Sequence, residues 1–455
     1  MNRWLRRGLI LGGLTVGGAA LAVGLSDGPR PILEPQIEAA IPDTPAFLAG
    51  VPTGRVAADA DKAVATWTAR VRLTPDSAGA WTELADAPMQ KARETADSAY
   101  YGHADRAYAK ALELEPNTWT ALAGRAWVAG CRHEFEQSAA WAEKAIAASP
   151  DQPAAHGLLG DARMESGDYE AAGEHYQTML DLRPDQSSYS RGAVWLFATG
   201  DVRKATWLMG KAAGAGSPYA ENTAWCRAQL ALMRFHTGAL LPAEQLVEQA
   251  LTETPENVHL LAVAGRIKAA RGDYPAAIEL YRKAAAVAPQ HDTLVALADL
   301  YRLTGKPDEA EKQDALVEAT HRLNQASGVR GDSQLARFYA DRGRNLPEAL
   351  ALAEEEYKTR KTIVAADTLA WCLYKNGRLE EARKLAEKAL RYKTPDATLR
   401  FHAGMIAAKL GDRPQAQLHL YQALSLNPHF HPIDAKTAAD TLTELGSAPP
   451  EAKEP

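Results

Sequence analysis

The chain has 455 residues, of which 46% are hydrophobic and 24% are charged, a balance typical of a folded protein rather than a disordered one. Its formal net charge is −6, and acidic and basic residues are interspersed. The sequence therefore has no basic stripe of the kind that would indicate a nucleic acid as partner. The three cysteines, Cys131, Cys226 and Cys372, lie far apart along the chain. We interpret them as small buried thiols rather than as a disulfide framework.

The first 25 residues have the pattern of an export signal. Arg3, Arg6 and Arg7 precede Gly8–Leu25, a run of 18 residues without charge. Ala20–Ala22 offers a small-x-small cleavage site, while the length of the run is at the short edge of what spans a bilayer. Residues 1–25 are therefore predicted to be a cleaved signal or an N-terminal membrane anchor. Either would make the protein an exported one, periplasmic or anchored to the outer side of the inner membrane.

Two further segments differ in composition from the body of the chain. Residues 26–53 contain six prolines, a density that favours an extended spacer over a packed element. Residues 447–455 form a short charged tail that we expect to be disordered. The folded part is therefore predicted to lie between these two segments.

Prolines recur in that folded part with a fixed spacing. The prolines that follow one another at intervals of 34 residues are Pro116, Pro150, Pro184 and Pro218, and then Pro255 and Pro289. Ala243 and Ala277 keep the same interval. A period of this length is typical of a repeat solenoid, in which one supersecondary unit is stacked many times.

One period encodes two helices joined by a turn. Between Pro153 and Pro184, apolar residues recur at helical spacing in two runs separated by Gly167. Gly167 suits the left-handed conformation at the end of the first helix. Gly160 allows that helix to approach the second closely, and Tyr176 fills the space beside the contact. The hairpin cannot bury its apolar face alone, so neighbouring units must stack.

This pattern resembles the tetratricopeptide repeat. In the copy that ends at Pro289, Gly265, Gly272, Ala277 and Tyr281 stand at the same repeat positions as their counterparts in the copy that ends at Pro184. The resemblance implies an all-α, right-handed superhelical solenoid of about ten helix-turn-helix repeats over residues 54–432. An amphipathic helix at residues 433–446 is expected to cap it.

Patterns typical of catalysis, cofactor binding or metal binding are not found in the sequence. His429 and His431 are two residues apart but lack the fuller ligand set of a zinc site. No nucleophile elbow and no glycine-rich phosphate loop is seen. We therefore predict that the protein is not an enzyme and that it has no cofactor and no metal.

The resemblance also implies a concave groove lined by the first helix of each repeat. Carrying the inward-facing repeat positions over gives the predicted groove residues Trp127, Asp161, Glu165, Arg191, Trp195, Trp225, His259, Arg266, Trp371, Tyr374, Lys375 and Phe401. Tryptophan and arginine are favoured anchors in binding sites. Trp195 and Arg191 lie one helical turn apart, so a ring and a charge are expected to meet the same ligand segment.

These features predict a non-catalytic scaffold of the cell envelope that binds a protein or peptide segment in its concave groove. Nucleic acid is not expected as a partner, and membrane contact is expected only through the N-terminal segment. The alternative is an accessory subunit of an envelope enzyme or of a machine that assembles polysaccharide or cell wall. A purely structural or oligomerising module is a third possibility.

Overall fold

The computed structural model describes residues 60–95, 97–217 and 219–450, and within these ranges the regular structure consists of 22 helices without a strand. Helix α1 (Ala60–Leu73) precedes ten helix pairs, and α22 (Asp434–Glu444) follows them. The first five pairs are α2 (Ala78–Thr95) with α3 (Ala99–Leu114), α4 (Trp119–Cys131) with α5 (Phe135–Ala148), α6 (Pro153–Ser166) with α7 (Tyr169–Leu182), α8 (Gln186–Ala198) with α9 (Val202–Ala215), and α10 (Ala220–His236) with α11 (Leu240–Glu253). The other five are α12 (Val258–Ala270) with α13 (Tyr274–Val287), α14 (His291–Leu303) with α15 (Pro307–Ala326), α16 (Asp332–Arg342) with α17 (Leu346–Thr359), α18 (Ile363–Lys375) with α19 (Leu379–Ala389), and α20 (Ala397–Leu410) with α21 (Arg413–Leu426).

The predicted all-α solenoid of about ten helix-turn-helix repeats is therefore confirmed. The predicted export signal (residues 1–25) and spacer (residues 26–53) lie outside the described residues. In the part of the chain that the structure describes, no helix combines the length and apolar character needed to cross a membrane.

The turn inside each pair explains why the two helices separate where they do. Gly167 has φ 89°, a left-handed conformation that is least costly for glycine. The next residue, Asp168, caps α7 by accepting a hydrogen bond from the Ala171 backbone N–H at 3.1 Å. The same Gly-Asp turn with an aspartate cap recurs at Asp201 and Asp273. In these repeats, the glycine that ends the first helix is thus followed directly by the aspartate that caps the second.

Small residues set the distance between the two helices of a pair. A Cβ atom added at Gly160 would lie 2.6 Å from the ring of Tyr176, and Ala172 is fully buried at the same contact. The predicted roles of Gly160 and Tyr176 are confirmed. Apolar side chains from adjacent repeats fill the space between pairs, in clusters of which the two largest each span several repeats.

The cysteines lie in first helices of three different repeats and are all free thiols. Cys226 and Cys372 are buried, and burial raises the pKa of each thiol to about 12. Both thiols are therefore protonated at neutral pH and poorly nucleophilic. The prediction of buried thiols is confirmed for these two, while Cys131 is only partly buried.

The solenoid also contacts itself between repeats that are distant in sequence. We call this contact the seam; its three main points join residues 192 to 196 positions apart. The Lys361 backbone N–H donates to the Ser166 carbonyl at 3.0 Å, the Thr394 hydroxyl to the Ala198 carbonyl at 2.5 Å, and the Asn427 amide to the Phe235 carbonyl at 2.8 Å. A separation of between five and six 34-residue repeats recurs at each point. The chain therefore completes a turn and stacks its later repeats against its earlier ones.

Glycines in the intra-repeat turns make this close approach possible. A Cβ at Gly200 would lie 2.6 Å from the Tyr392 carbonyl oxygen, and one at Gly238 would lie 2.8 Å from that of Leu426. Gly272 has nearly the same conformation as Gly238, with φ 77° against 76°, but a Cβ there would meet no atom within 4 Å. The glycines of the seam thus have two constraints, conformation and space, whereas Gly272 has only the first.

Gly238→Ala and Gly272→Ala form a matched pair that tests the seam. Both place an alanine in the left-handed region, which costs about 1–2 kcal/mol. Only Gly238→Ala also forces two backbones apart, and this overpacking should cost about 1–3 kcal/mol more. Denaturant unfolding should show the larger destabilisation at position 238, and hydrogen exchange should show lost protection around residues 424–428 in that variant alone. Equal effects of the two substitutions would contradict the seam.

Candidate functional site

The first helices of the first five repeats bound a cavity of about 940 Å³. Side chains from α2, α4, α6, α8 and α10 line it, together with Tyr176 of α7 and the loop that follows α9. Because alternate helices of the stack face the same side, their inward residues converge on one space. This cavity is the concave surface of the N-terminal half of the solenoid.

Tryptophans form the large apolar surfaces of the cavity wall. Trp119 and Trp127 lie on α4, and Trp225 lies on α10. All three are partly exposed, in contrast to Trp195 and Trp371, which are buried. Half-exposed indole rings present both a flat apolar face and an N–H donor, which suits them to bind a ligand.

An ion pair bridges the cavity from its first wall to its last. Arg93 on α2 donates to the Glu221 carboxylate on α10, with Nε–Oε2 at 3.1 Å and Nη2–Oε1 at 3.4 Å, across 128 residues of sequence. The His259 Nε2 lies 3.8 Å from the same carboxylate. Since the Arg93 side chain is 39% exposed, this pair contributes at most about 1 kcal/mol. The pair matters for geometry rather than for stability, because it holds the first and fifth repeats together.

A polar cluster occupies the floor between α6 and α8. Arg191 Nε lies 2.9 Å and 3.0 Å from the two carboxylate oxygens of Asp161, which also accepts a hydrogen bond from the Tyr176 hydroxyl at 3.0 Å. Glu165, one turn along α6, forms an ion pair with Arg360 of the later repeats. The predicted groove residues Asp161, Glu165 and Arg191 thus line the cavity, and each already has a charged partner.

Asp86 is a carboxylate of the wall with a raised pKa. It accepts a hydrogen bond of 2.5 Å from the buried Tyr108 hydroxyl and is open to the cavity on its other side. The surrounding protein raises the pKa of Asp86 to about 6, a rise that the Tyr108 hydrogen bond opposes and the nearby charge of Glu83 reinforces. The residue is exposed, so a ligand in the cavity can reach its carboxylate.

Five of the twelve predicted groove residues line the cavity: Trp127, Asp161, Glu165, Arg191 and Trp225. Trp195 does not, and the expectation that it meets a ligand beside Arg191 is wrong. Its ring is 3% exposed and its Nε1–H donates to the Tyr169 carbonyl at 2.6 Å. The preceding residue, Val194, lines the cavity instead. The face of α8 that lines the cavity therefore includes Arg191 and Val194, and Trp195 lies beyond the edge of that face, in the core.

The C-terminal residues of the predicted groove form a packed cluster. Trp371 is 5% exposed and Phe401 2% exposed, so the expectation that these rings are open to a ligand is also wrong. Trp371 stacks on His402 at 4.1 Å between ring centroids, and its Nε1–H donates to Asp341 at 2.7 Å. Tyr374 stacks on the opposite side at 4.8 Å. Large rings with a satisfied N–H gain more from burial than from exposure.

The remaining predicted groove residues also contact other side chains of the protein. The Lys375 ammonium lies 4.8 Å from the centre of the Trp371 ring, and the Arg266 guanidinium lies 5.9 Å from that of Phe235. His259 belongs to the Arg93–Glu221 bridge rather than to the cavity lining. These three are partly exposed, but the structure does not bring them to the tryptophans of the cavity.

Sequence reasoning missed several residues of the cavity wall. Asp86, Gln90 and Arg93 lie on α2, where an insertion and the buried Pro88 break the repeat spacing. Trp119 is the first residue of its helix and stands outside the repeat positions taken to face inward. The clustering of tryptophans and carboxylates in the first three repeats was the available signal. Within the described residues, no three His, Cys, Asp or Glu side chains converge as metal ligands.

Comparison with known proteins agrees with the architecture. A family model described as tetratricopeptide repeat matches residues 132–187, 243–292 and 368–429, and a second with the same description matches residues 268–327. The chain is a tetratricopeptide repeat protein. Repeats of this family build protein–protein interaction scaffolds. No curated protein matches the chain.

Solved structures similar to the chain include three repeat proteins. A human IFIT1 dimer with PPP-AAAA is 18% identical, with 77% of this chain and 72% of that chain covered and a TM-score of 0.37. The Cut9–Hcn1 hetero-tetramer of APC/C is 13% identical, with 84% and 81% covered and a TM-score of 0.40. Yeast Tom70 is 14% identical, with 85% and 92% covered and a TM-score of 0.36. At this level of similarity they support no inference about the ligand of this protein.

The two environments of tryptophan lead to opposite expectations for substitution. Trp195→Ala removes a buried ring and leaves the Tyr169 carbonyl without its donor, which should cost about 3–5 kcal/mol in unfolding free energy. Trp127→Ala removes a partly exposed ring at the same repeat position, and its cost should be less than half as large. Denaturant unfolding monitored by far-ultraviolet circular dichroism measures both. Equal costs would show that Trp127 is as much a core residue as Trp195.

Proposed function

We propose that this tetratricopeptide repeat protein is a non-catalytic scaffold that binds a peptide segment in the cavity formed by its first five repeats. The observation that carries the proposal is the convergence of Trp119, Trp127 and Trp225 on one open cavity. Partly exposed tryptophans that surround a pocket are the usual anchors of protein–peptide binding.

The size of the cavity favours a peptide segment over a folded partner. At about 940 Å³ it stands at the upper end of the range of roughly 300–1,000 Å³ for ligand pockets. A segment of a few extended residues fits such a space, whereas a folded domain does not. The Arg93–Glu221 bridge narrows the approach further, since it joins the two ends of the wall.

A peptide-display selection followed by affinity measurement tests this assignment. Peptides selected on the full-length protein from a random display library should bind Trp127→Ala at least about 30-fold more weakly, which corresponds to the ~2 kcal/mol expected for a hot-spot residue. Trp207→Ala is the matched control, because Trp207 lies on α9 outside the cavity lining and is also partly exposed. Equal losses of affinity in the two variants, or no loss in either, would refute the cavity as the binding site.

We also propose that the scaffold acts in the cell envelope. The arginines before the uncharged run Gly8–Leu25 support export, and the proline-rich residues 26–53 would hold the repeats away from a membrane if the signal is retained.

Cell fractionation of the full-length protein with a C-terminal tag tests the location. The tag should be found outside the cytoplasm and be accessible to protease added to spheroplasts. Deletion of residues 1–25 should instead leave the protein in the cytoplasm. Wild-type protein recovered in the cytoplasm with its N-terminus intact would refute export.

A further inference from the structure

The charges on the cavity wall point to the chemistry of its ligand. Four carboxylates line the cavity, at Asp86, Asp161, Glu165 and Asp185, against two basic side chains, Arg93 and Arg191. The two arginines are already engaged, Arg93 by Glu221 from across the cavity and Arg191 by Asp161. The wall is thus acidic, and its own cations are not free to bind a ligand.

The carboxylates differ in whether they have a basic partner. Asp161 is paired with Arg191, Glu165 with Arg360, and Asp185 with Arg183 at 2.6 Å. Among the described residues, Asp86 forms no ion pair with a basic side chain; its hydrogen-bond partner is the neutral Tyr108 hydroxyl. A negative charge confined by protein and left without a counter-charge attracts a cation.

A second polar group on the wall also lacks a partner. The Oδ1 atom of Asn222, on the first turn of α10, is buried without a hydrogen bond, although its amide nitrogen donates to the Ser217 hydroxyl at 3.1 Å. This oxygen is covered by protein and is not open to the cavity. Asp86 is therefore the acceptor that a charged donor in the cavity can reach.

The tryptophans of the cavity are compatible with such a ligand. Indole faces attract ammonium and guanidinium groups. The protein already makes this pairing elsewhere: Arg125 and Lys144 lie 4.8 Å and 4.3 Å from the centre of the Trp141 ring, and Lys211 lies 5.4 Å from that of Trp207. Trp119, Trp127 and Trp225 offer the same surface to a cation that enters the cavity.

We propose that the segment bound in the cavity is cationic, with a lysine or arginine side chain that pairs with Asp86 and packs against the tryptophan rings. This inference rests on the proposed function, because it specifies the ligand of the same cavity. It commits to a basic peptide rather than to a neutral or acidic one.

Binding of four peptide mixtures to the full-length protein tests the proposal. Each mixture consists of acetylated, amidated hexapeptides with lysine, arginine, norleucine or glutamate fixed at one central position and equimolar neutral residues elsewhere. Immobilised wild-type protein should retain the lysine and arginine mixtures at least about tenfold more than the norleucine mixture, and the glutamate mixture least. Norleucine keeps the length and apolar stem of lysine without its charge, so this comparison isolates the cation.

Asp86→Asn and Glu279→Gln separate the cavity from general electrostatics. Each variant removes one negative charge, but Glu279 lies on the exposed face of α13, paired only with Arg282 and Lys283 of its own helix. The preference for lysine over norleucine should disappear in Asp86→Asn and persist in Glu279→Gln. A preference that persists in Asp86→Asn, or a wild-type protein that retains norleucine or glutamate peptides as well as lysine peptides, would overturn the proposal.

The same experiment distinguishes a failure of the cation preference from a failure of the peptide-binding cavity. If the wild-type protein retains neutral peptides and Trp127→Ala does not, the cavity binds peptides but not through a cation. If the wild type retains no mixture better than Trp127→Ala does, the peptide-binding cavity itself is refuted. Circular dichroism of each variant, compared with that of the wild type, shows whether a loss of binding reflects unfolding.

The dependence on pH gives an independent check. The titratable groups that act on Asp86 are Glu83 on the same helix, Tyr108 on α3 and Tyr219 before α10. Because the pKa of Asp86 is raised to about 6, its carboxylate is charged at pH 7.5 and largely protonated at pH 5. Retention of lysine peptides should fall over this interval in the wild type and stay constant in Asp86→Asn. A wild-type preference that is unchanged at pH 5 would contradict the role of Asp86.

Discussion

The seam is the constraint on which the rest of the structure depends. In a solenoid, each repeat ordinarily contacts only its neighbours, and small changes of angle between repeats add up over the whole length. Here the turns at Gly167, Gly200 and Gly238 touch inter-repeat loops almost 200 residues later in sequence, and backbone carbonyls accept hydrogen bonds there. Such contacts fix the sum of the angles between successive repeats, because any change of curvature would break the hydrogen bonds of the seam.

A fixed curvature is what defines the cavity. Glu165 on the cavity wall pairs with Arg360 of the later repeats, so a residue that lines the cavity is also part of the seam. Arg93 and Glu221 join the wall from the other side. The cavity is therefore held between two long-range contacts rather than by the local stacking of five repeats. Preorganised walls lower the entropic cost of binding, which matters for a ligand as flexible as a peptide.

Features that lie within one repeat can be predicted from the sequence, whereas contacts between distant repeats cannot. The 34-residue interval, together with Gly-Asp turns in several repeats, predicts about ten helix pairs, since each signal acts within one repeat. Asp161, Glu165 and Arg191 were predicted to face inward and do so. The seam could not be predicted, because it depends on an accumulated rotation that no single repeat encodes. The error at Trp195 has a smaller cause: four residues exceed one helical turn by about 40°, so Trp195 lies beyond the edge of the face that carries Arg191 and Val194.

One repeat position differs in burial along the solenoid: its residue is in the core at Trp195 and Trp371 and lines the cavity in two early repeats. In those two repeats it places Trp127 and Asp161 on an open wall. In the later repeats it holds Trp371, stacked on His402, whose ring bonds to Asp367 at 2.9 Å, while Asp367 in turn pairs with Arg337 at 3.2 Å. His431 reaches Asp299 at 3.5 Å from four repeats away. The later repeats thus fill their concave side with their own rings and ion pairs, whereas the earlier ones enclose a space. A ligand that entered the later half would have to break charged pairs that are already satisfied, which supports the proposal that a ligand binds where Asp86 and the three cavity tryptophans are uncovered.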